Sequence, residues 1–551
     1  MLSNGAEITD NCEKASILNN FFYDCFNTKS PPLVATPSSL PTSGCPPEFL
    51  CTEAEVYDLV VGLDPSKSTG PDGISARMLR GTVDAVVPSL TRLFNLSITT
   101  GSFPESWKLA RIVPVPKSVV MSAPSNYRPI SILSVVSKVL ERHVHQFLSD
   151  FLSVNYPLSV RQWGFLPGRS TVSALLTVTH DWLHQLEMGN EVCSIFFDLK
   201  KAFDSVSHCL LLHRLEEIGS DPYVVQWIRS YLTCHSQIVV VGGEQSSSLP
   251  VISGVPQGSV LGPLLFLIFI NETASQISLG SKISLFADDI ALYRPILSSV
   301  DYSILQSDVS AIVSWIDSSL LSLQPAKCCQ MLISRKKNSN LPPPAITVGG
   351  TPLTTVSSVR YLGLQIRSDL SWSTHVANLC IKARRLIGLL YRRFGKHADS
   401  ATLLKLYKSF IRPHLEYCSV VWSPYLLGDI ESLEKVQRFA LRVCLKNWTC
   451  DRDHLYTQSG VLALAERRSR ARLYHMYKIV NNLTIMPESP LELRVIHYSN
   501  RSSHPLQFRN IFARSNQFQN SFFPGTIPLW NSLPHSTVSS PTLSSYISRL
   551  P

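Results

Sequence analysis

The sequence contains no apolar run long enough to cross a membrane. The longest such run covers residues 261–270, and it is interrupted by Gly262 and Pro263. A membrane-spanning helix needs about 20 predominantly apolar residues. Residues 1–10 also carry neither the basic region nor the apolar core of a secretory signal. We therefore expect an intracellular chain with no membrane partner.

Paired cysteines are also missing. The chain has 13 cysteines, and none of them forms a Cys-x-x-Cys motif. An odd number without framework spacing indicates reduced thiols rather than a disulfide scaffold. Cys444, Cys450 and His454 come nearest to a metal cluster, but their spacing fits no zinc template. A structural zinc site is therefore not expected.

The composition is that of a globular protein with a modest excess of basic residues. The 551 residues are 44% hydrophobic and 16% charged, and this length predicts two or three subdomains. Fifty Lys and Arg against 40 Asp and Glu give a net charge of +10. Such a balance is compatible with a polyanionic partner.

Two acidic segments stand out against apolar surroundings. Residues 286–289, Phe-Ala-Asp-Asp, lie between the short apolar runs 283–286 and 290–293, which predicts a tight hairpin with Asp288 and Asp289 at its tip. The apolar run 192–197 predicts a buried strand that ends at Asp198. Either segment alone is typical of an acidic turn. Together they indicate a site for a pair of Mg²⁺ ions, because neighbouring carboxylates in an apolar setting need a cation.

Several polar loops accompany these carboxylates. Lys117 and Arg128 lie near the loop ends of two predicted strands that form a basic hairpin, and Arg169 belongs to a loop before a predicted helix. Taken singly, each cation is equally well explained as a surface residue. Gln257 lies between glycines in residues 253–263, where backbone can approach a ligand closely; the alternative is a simple turn before a core helix.

The C-terminal part of the sequence is predicted to be helical and basic. In residues 382–396, Ala383, Ile387, Leu390 and Phe394 share one face of a predicted helix. Basic side chains occupy another face, and a basic helix face is more often solvated surface than a binding site.

Five motifs occur in an order that identifies a family resemblance. They are residues 128–131 (Arg-Pro-Ile-Ser), 164–170 (Gly-Phe-Leu-Pro-Gly-Arg-Ser), 197–204 (Phe-Asp-Leu-Lys-Lys-Ala-Phe-Asp), 254–259 (Gly-Val-Pro-Gln-Gly-Ser) and 286–289. In this order they resemble the reverse transcriptase of non-LTR, LINE-type retrotransposons, most closely the jockey and CR1 groups. The resemblance covers residues 52–370 by motif and continues more weakly through 411–417 and 529–534.

The resemblance implies an α+β, right-hand polymerase fold with fingers, a palm with an antiparallel sheet, a helical thumb and a mostly helical C-terminal extension. Ahead of these regions, the residue pattern predicts a helix in residues 1–27 and a Pro/Ser-rich linker in 29–47, which together form the region 1–47. The corresponding division of the fold predicts fingers and palm in 48–372, a basic thumb-like region in 373–480 and a Ser/Pro/aromatic tail in 481–551.

The resemblance also implies catalytic roles. Asp198 and Asp288 would bridge two Mg²⁺ ions, for which Mn²⁺ is a possible substitute. Asp289 would have a lesser carboxylate role, the Leu199 carbonyl would be a further ligand, and Lys327 would donate a proton to pyrophosphate.

Roles in binding substrate follow in the same way. Lys117 and Arg128 would hold the triphosphate, Phe203 would exclude a 2′-hydroxyl, and Gln257 with Gly258 would lie beside the incoming nucleotide. The positions expected to contact nucleic acid are Arg169, Tyr361, Gly363, Lys382, Arg385 and Arg392.

The implied function is an RNA-directed DNA polymerase. It would extend the 3′-hydroxyl of a DNA primer on an RNA template, using dNTPs. The alternative is a catalytically silent relic or a domesticated protein that binds RNA or RNA–DNA duplex. A two-metal phosphohydrolase is disfavoured by Phe203 and residues 255–258. Family members usually carry an endonuclease, which we expect to be supplied from elsewhere, and the family implies action in the nucleus.

Overall fold

The computed structural model describes residues 2–3, 6–29, 44–117, 122–336, 344–494 and 504–550. Most of the predicted Pro/Ser-rich linker lies outside these ranges. Within them, no helix has the length and apolar character that a membrane crossing requires. The chain forms two compact units, each assembled from separate segments. The first unit contains residues 1–165, 197–277 and 310–327, and the second contains 166–196, 278–309 and 328–551.

The helices of the described residues are, in chain order, α1 (Asn11–Tyr23), α2 (Glu53–Val61), α3 (Ala76–Gly81), α4 (Val83–Thr99), α5 (Val135–Asn155), α6 (Thr171–Glu187), α7 (Ala202–Ser205), α8 (His208–Glu217), α9 (Pro222–Leu232), α10 (Leu261–Ile270), α11 (Ser299–Ser318), α12 (Ser373–Phe394), α13 (Ser400–Leu406), α14 (Arg412–Glu416), α15 (Ser419–Trp422), α16 (Leu427–Leu445), α17 (Arg452–Ser459), α18 (Leu464–Val480), α19 (Asn516–Gln519), α20 (Phe522–Asn531), α21 (His535–Val538) and α22 (Leu543–Ser548).

The strands are β1 (Leu2–Ser3), β2 (Ala6–Glu7), β3 (Leu109–Pro116), β4 (Tyr127–Ile132), β5 (Glu191–Asp198), β6 (Ser236–Val241), β7 (Glu244–Gln245), β8 (Leu249–Pro250), β9 (Lys282–Phe286), β10 (Asp289–Ile296), β11 (Cys329–Ile333), β12 (Thr347–Val348), β13 (Thr351–Pro352), β14 (Thr354–Thr355), β15 (Ser358–Tyr361) and β16 (Leu364–Arg367). Together with the helices they confirm the predicted α+β class.

The first unit is built around a sheet with strand order β4-β3-β6-β7, and β8 also pairs with β6. Strand β3 is antiparallel to β4 and parallel to β6. Helix α1 packs on this sheet through Ala15, Leu18 and Phe22, which meet Ile112 and Val239 in a small apolar core.

The predicted helix in residues 1–27 is shorter in the structure. Asp10 has an extended backbone and its carboxylate accepts a hydrogen bond from the Glu13 backbone N–H at 2.7 Å. Such an N-cap starts the helix at the following residue, Asn11, because it satisfies a backbone donor that the first turn leaves free.

The second unit contains the sheet β14-β11-β5-β10-β9. Residues 191–196 of β5 belong to this unit, whereas Phe197 and Asp198 are assigned to the first. Strand β11 is antiparallel to β5, and β9 and β10 form an antiparallel hairpin. Residues 192–197 are buried without interruption. A strand that is buried on both faces has a nearly continuous run of apolar residues, and this pattern is why β5 could be predicted from the sequence.

The C-terminal residues fold into helices with a core of their own in the second unit. Trp530 is fully buried, and its indole N–H donates to the Leu506 carbonyl at 2.8 Å. Tyr477 stacks on Tyr546 with 4.2 Å between ring centroids. The described part of the predicted tail therefore packs onto helix α18 as an ordered element.

A buried carboxylate links two helices of the first unit. Glu141 of α5 is fully buried and accepts hydrogen bonds from the backbone N–H groups of Val260 (2.8 Å) and Leu261 (3.3 Å) at the start of α10. The hydroxyl of Ser137 donates to its other oxygen at 3.3 Å. Burial raises the pKa of Glu141 above its ordinary value of 4.5. The carboxyl thus caps the helix that follows the loop around Gln257.

Two replacements of Glu141 should show separately how its hydrogen bonds and its charge affect stability. Glu141→Ala leaves two buried N–H groups unsatisfied, and we expect a loss of about 2 kcal/mol in the free energy of unfolding. Glu141→Gln keeps an acceptor oxygen and should be tolerated.

The dependence on pH has a definite sign. Because the folded-state pKa is raised, the stability that protonation of Glu141 contributes is complete below 4.5 and is lost as the pH rises. Glu141→Gln should therefore gain stability relative to the wild type as the pH rises above 4.5. Urea unfolding followed by tryptophan fluorescence measures this; equal midpoints for all three proteins would contradict the capping role.

Candidate active site

Asp198 lies at the end of β5, and both its backbone and its side chain make polar contacts. Its carbonyl accepts a hydrogen bond from the Gln324 backbone N–H at 2.8 Å. Its Oδ2 lies 3.3 Å from Nζ of Lys327, and the two side chains are 38% and 59% exposed, respectively. The predicted proton donor therefore pairs directly with the predicted metal ligand. Leu199, the next residue, is buried and forms an isolated bridge with Leu323.

The hairpin of the second unit differs from the prediction by one residue. Asp289 pairs with Phe286, so Ala287 and Asp288 form the two-residue turn and Asp289 is the first residue of β10. Ala287 has a φ of 55° and is buried, which leaves Asp288 half-buried and Asp289 exposed. The prediction of both carboxylates at the tip was wrong, because burial of Ala287 and Ile290 fixes the register.

The acidic residues fit a hard cation in their chemistry. Asp198, Asp288 and Asp289 offer carboxylate oxygens, which Mg²⁺ prefers, and each is at least partly exposed. Among the described side chains, however, no three His, Cys, Asp or Glu are grouped closely enough to hold a metal ion. Asp198 is paired with Lys327 instead. The ligand set therefore remains a prediction from the resemblance.

A group of cations surrounds the Asp198 end of the first unit. The pKa of Lys117 is lowered, first by burial and then by the positive charges of Lys201, Arg128 and Lys327. The Lys117 ammonium also donates to the Ser125 carbonyl at 2.9 Å. The surroundings of Lys117 are therefore positively charged. Lys117 and Arg128 were predicted here, while Lys201 was not, although it stands three residues after Asp198.

Phe203 forms the apolar floor beside these cations. Its ring stacks on Phe266 with 4.2 Å between centroids and an angle of 14°, and it meets the edge of Phe165 at 6.1 Å. The Phe203 carbonyl accepts from the Val255 N–H at 2.8 Å. The ring therefore packs against two other aromatic rings and is half-exposed.

The loop around Gln257 is hydrogen-bonded to Asp204 and to strand β4. The Gln257 amide donates to Oδ1 of Asp204 at 2.7 Å, and its carbonyl accepts from the Ser131 N–H at 2.8 Å. Gly258 has a φ of 128°, and a Cβ there would lie 2.4 Å from the Ser131 carbonyl oxygen. Only glycine fits this approach, so the loop is tied to strand β4.

The segment before the predicted linker supports the same loop. The Asn27 backbone N–H donates to the Ser253 hydroxyl at 2.7 Å, and its side-chain amide donates to the carbonyls of Ser205 (3.2 Å) and Leu320 (2.7 Å). No motif in the sequence signals this contact, because the three partners are 178 to 293 residues away.

Tyr361 is not available for the contact with nucleic acid that was predicted. Its side chain is 4% exposed and its hydroxyl donates to Ser284 at 3.1 Å within the second unit. The segment 359–364 also forms two strands rather than one, since Leu362 and Gly363 adopt φ values of 43° and 86°. The exposed residue of this turn is Gly363. The buried Tyr361 instead supports the sheet.

The remaining predicted contacts with nucleic acid differ in exposure. Lys382, Arg385 and Arg392 of α12 are exposed, and the Lys382 ammonium lies 3.3 Å from Nδ1 of His414. Arg169 is half-buried, and burial lowers its pKa.

Comparison with known proteins agrees with the resemblance seen in the motifs. The family model described as "Reverse transcriptase (RNA-dependent DNA polymerase)" matches residues 115–366. This segment includes each of the five motifs. The resemblance to the polymerases of non-LTR retrotransposons is confirmed, and the mixed helices and sheets are consistent with a right-hand polymerase fold.

Three relatives from Drosophila melanogaster illustrate the similarity. The RNA-directed DNA polymerase from mobile element jockey is 27% identical over 71% of this chain. The probable RNA-directed DNA polymerases from transposon X-element and from transposon BS are each 26% identical, over 72% and 79% of this chain. The matches cover 43%, 45% and 50% of the three relatives, so the chain spans about half of their length.

Solved structures of telomerase are also similar in part. A structure of telomerase from Candida albicans with a fragment of telomeric RNA covers 70% of this chain and 61% of its own, with 14% identity and a TM-score of 0.38.

The cationic group predicts a measurable effect of Lys201. Removing one charge of four should weaken binding of a nucleoside triphosphate about tenfold, which corresponds to about 1.4 kcal/mol. Fluorescence anisotropy with a labelled dTTP analogue measures the affinity of Lys201→Ala. Lys405→Ala, which removes an exposed cation of α13, is the control; equal losses in both variants would contradict a specific anion site.

Proposed function

We propose that the chain is an RNA-directed DNA polymerase that extends a DNA primer on an RNA template. One observation carries the proposal. Strand β5, which ends at Asp198, is hydrogen-bonded beside β10, which begins at Asp289, in one sheet. Residues 191–196 of β5 and the whole of β10 lie in the second unit, and the two strands carry Asp198 and Asp289 as their last and first residues.

In this proposal Asp198, Asp288 and Asp289 hold two Mg²⁺ ions. When bound, the ions supply charge that makes the primer 3′-hydroxyl more acidic and neutralises the leaving pyrophosphate. Asp198 would hold a metal, and the Lys327 ammonium, which pairs with Asp198 in this structure, would then face the phosphates of the dNTP. The 3.3 Å distance between Lys327 Nζ and Asp198 Oδ2 supports this reading, since it places the ammonium beside a carboxylate that would hold a metal.

The protein contributes position and charge. The cations Lys117, Arg128 and Lys201 bind the triphosphate, and a hydrogen bond from any of them to a phosphate oxygen is stronger than one between neutral groups. Phe203, fixed on Phe266, lies under the sugar and excludes a 2′-hydroxyl. Gln257 supports this arrangement through its hydrogen bond to Asp204. Each group acts by orienting a reactant rather than by covalent catalysis.

The substrates of the proposal are an RNA template, a DNA primer and dNTPs. Similarity to polymerases of mobile elements supports an origin in a non-LTR retrotransposon. We propose in addition that endonuclease activity is supplied from elsewhere and that the chain acts in the nucleus.

The carboxylates are tested by primer extension. Asp198→Ala and Asp288→Ala should each reduce dTTP incorporation on poly(rA)/oligo(dT) with Mg²⁺ by at least a thousandfold, because each removes a metal ligand. Asp58→Ala, at an exposed position of α2, should leave the rate unchanged. Duplex binding that persists without any extension by the wild type would favour the silent binding protein instead.

Phe203 is tested by the choice of sugar. Phe203→Val should raise incorporation of UTP relative to dTTP by about a hundredfold, since the stacked ring no longer fills the space of a 2′-hydroxyl. Phe203→Tyr keeps the ring and should keep the discrimination. An unchanged UTP to dTTP ratio in Phe203→Val would remove the gate role.

A further inference from the structure

Three aromatic side chains of the second unit are exposed and in contact with one another. Tyr391 of α12 is 51% exposed, Phe439 of α16 is 39% exposed, and Trp448, which follows α16, is 54% exposed. The ring centroids of Tyr391 and Trp448 are 6.5 Å apart, and those of Phe439 and Trp448 are 6.1 Å apart. Large aromatic surface held in water is unfavourable, and a contiguous group of this kind marks an interaction site. We call these three residues the aromatic platform.

Positive charge surrounds the aromatic platform on helix α12. Residues 382–396 contain no Asp or Glu, and their six cations are Lys382, Arg384, Arg385, Arg392, Arg393 and Lys396. All six are exposed. Arg384, Gly388 and Tyr391 follow one another at helical spacing along one stripe of the helix. Gly388 has no side chain, and a Cβ at this position would lie 3.7 Å from the Arg392 guanidinium, so a further cation borders this stripe.

Helix α16 also has basic and aromatic side chains in alternation along one face. Lys435, Phe439 and Arg442 are spaced by four and three residues, so they lie on one face. Lys435 is exposed and Arg442 half-buried. The buried side chains of α16 include Val436 and Ala440, which belong to the core of the second unit. The cations and Phe439 therefore point away from that core.

We propose that the aromatic platform and its flanking cations bind single-stranded nucleic acid, by stacking unpaired bases on Tyr391, Phe439 and Trp448. Charge complementarity selects the partner, because a surface with six cations and no acid in one segment suits a polyanion. Stacking selects the form of the polyanion, because the faces of bases are accessible in a single strand and covered in a duplex. The inference goes beyond the proposed function and rests on it in one respect. The single-stranded nucleic acid that binds would be the unpaired part of a template.

The test measures affinity for fluorescein-labelled oligo(dT) and oligo(U) of 20 nucleotides by anisotropy, using the full chain. Tyr391→Ala and Trp448→Ala should each weaken binding roughly 5- to 100-fold, the range for loss of one stacked base. Trp448→Phe should bind within about twofold of the wild type, since it keeps a stacking ring. Phe512→Ala removes an aromatic that is 80% exposed at another position and should have no effect.

The salt dependence separates stacking from electrostatic attraction. Arg384→Gln should lower the slope of log affinity against log salt by about one. Tyr391→Ala should lower the affinity and leave that slope unchanged. Tighter binding of oligo(dT) or of oligo(U) tells whether DNA or RNA occupies the site, and either preference supports the proposal.

Two results would overturn the inference. One is unchanged binding of both oligonucleotides in a Tyr391→Ala/Trp448→Ala double variant. The other is a dimer of the wild type in sedimentation velocity that Trp448→Ala dissociates, since the aromatic platform would then be a contact between copies of the chain. Primer extension on poly(rA)/oligo(dT) is judged separately: its absence in the wild type contradicts the polymerase proposal, while the oligonucleotide affinities decide the aromatic platform.

Discussion

Burial of strand β5 is the constraint on which the rest of the structure depends. Six successive residues, 192–197, are removed from water, and burying each large apolar side chain contributes about 1.5–3 kcal/mol. The same environment raises the pKa of the Cys193 thiol to about 12. A carboxylate is tolerable only where such a strand leaves the core. Asp198 stands at that point, partly exposed, and Lys327 reaches it from the segment that follows α11.

The cations of the candidate site outnumber the carboxylate that pairs with them. Lys117, Arg128, Lys201 and Lys327 repel one another, and Asp198 offsets only part of their charge. A bound polyphosphate would supply the missing negative charge on one side, and divalent cations would supply positive charge for the carboxylates. The same logic extends to helix α12, where cations without acids surround exposed rings.

Much of the fold could be predicted because its elements carry strong local signals. The buried run of β5 and the hairpin of β9 and β10 were both evident in the pattern of apolar residues. The predictions were wrong where a single side chain determines the start of a helix, the residues of a turn or the direction of a side chain. Asp10 caps α1 and starts it late, Ala287 enters the turn in place of Asp289, and Tyr361 turns inward to Ser284. Each depends on a neighbour that the local sequence does not reveal.

The sequence by itself determined the types of residue available for chemistry: the order of the motifs, the three aspartates, the stacking ring of Phe203 and the cations near them. Those features are local, and a few adjacent residues specify each one. Only the tertiary structure decided which groups meet. Lys201 joins the other cations, Asn27 supports the loop before Gln257, and Tyr391 meets Trp448. Such contacts join positions distant in the chain, because the burial of the apolar cores, and no local signal, brings them together.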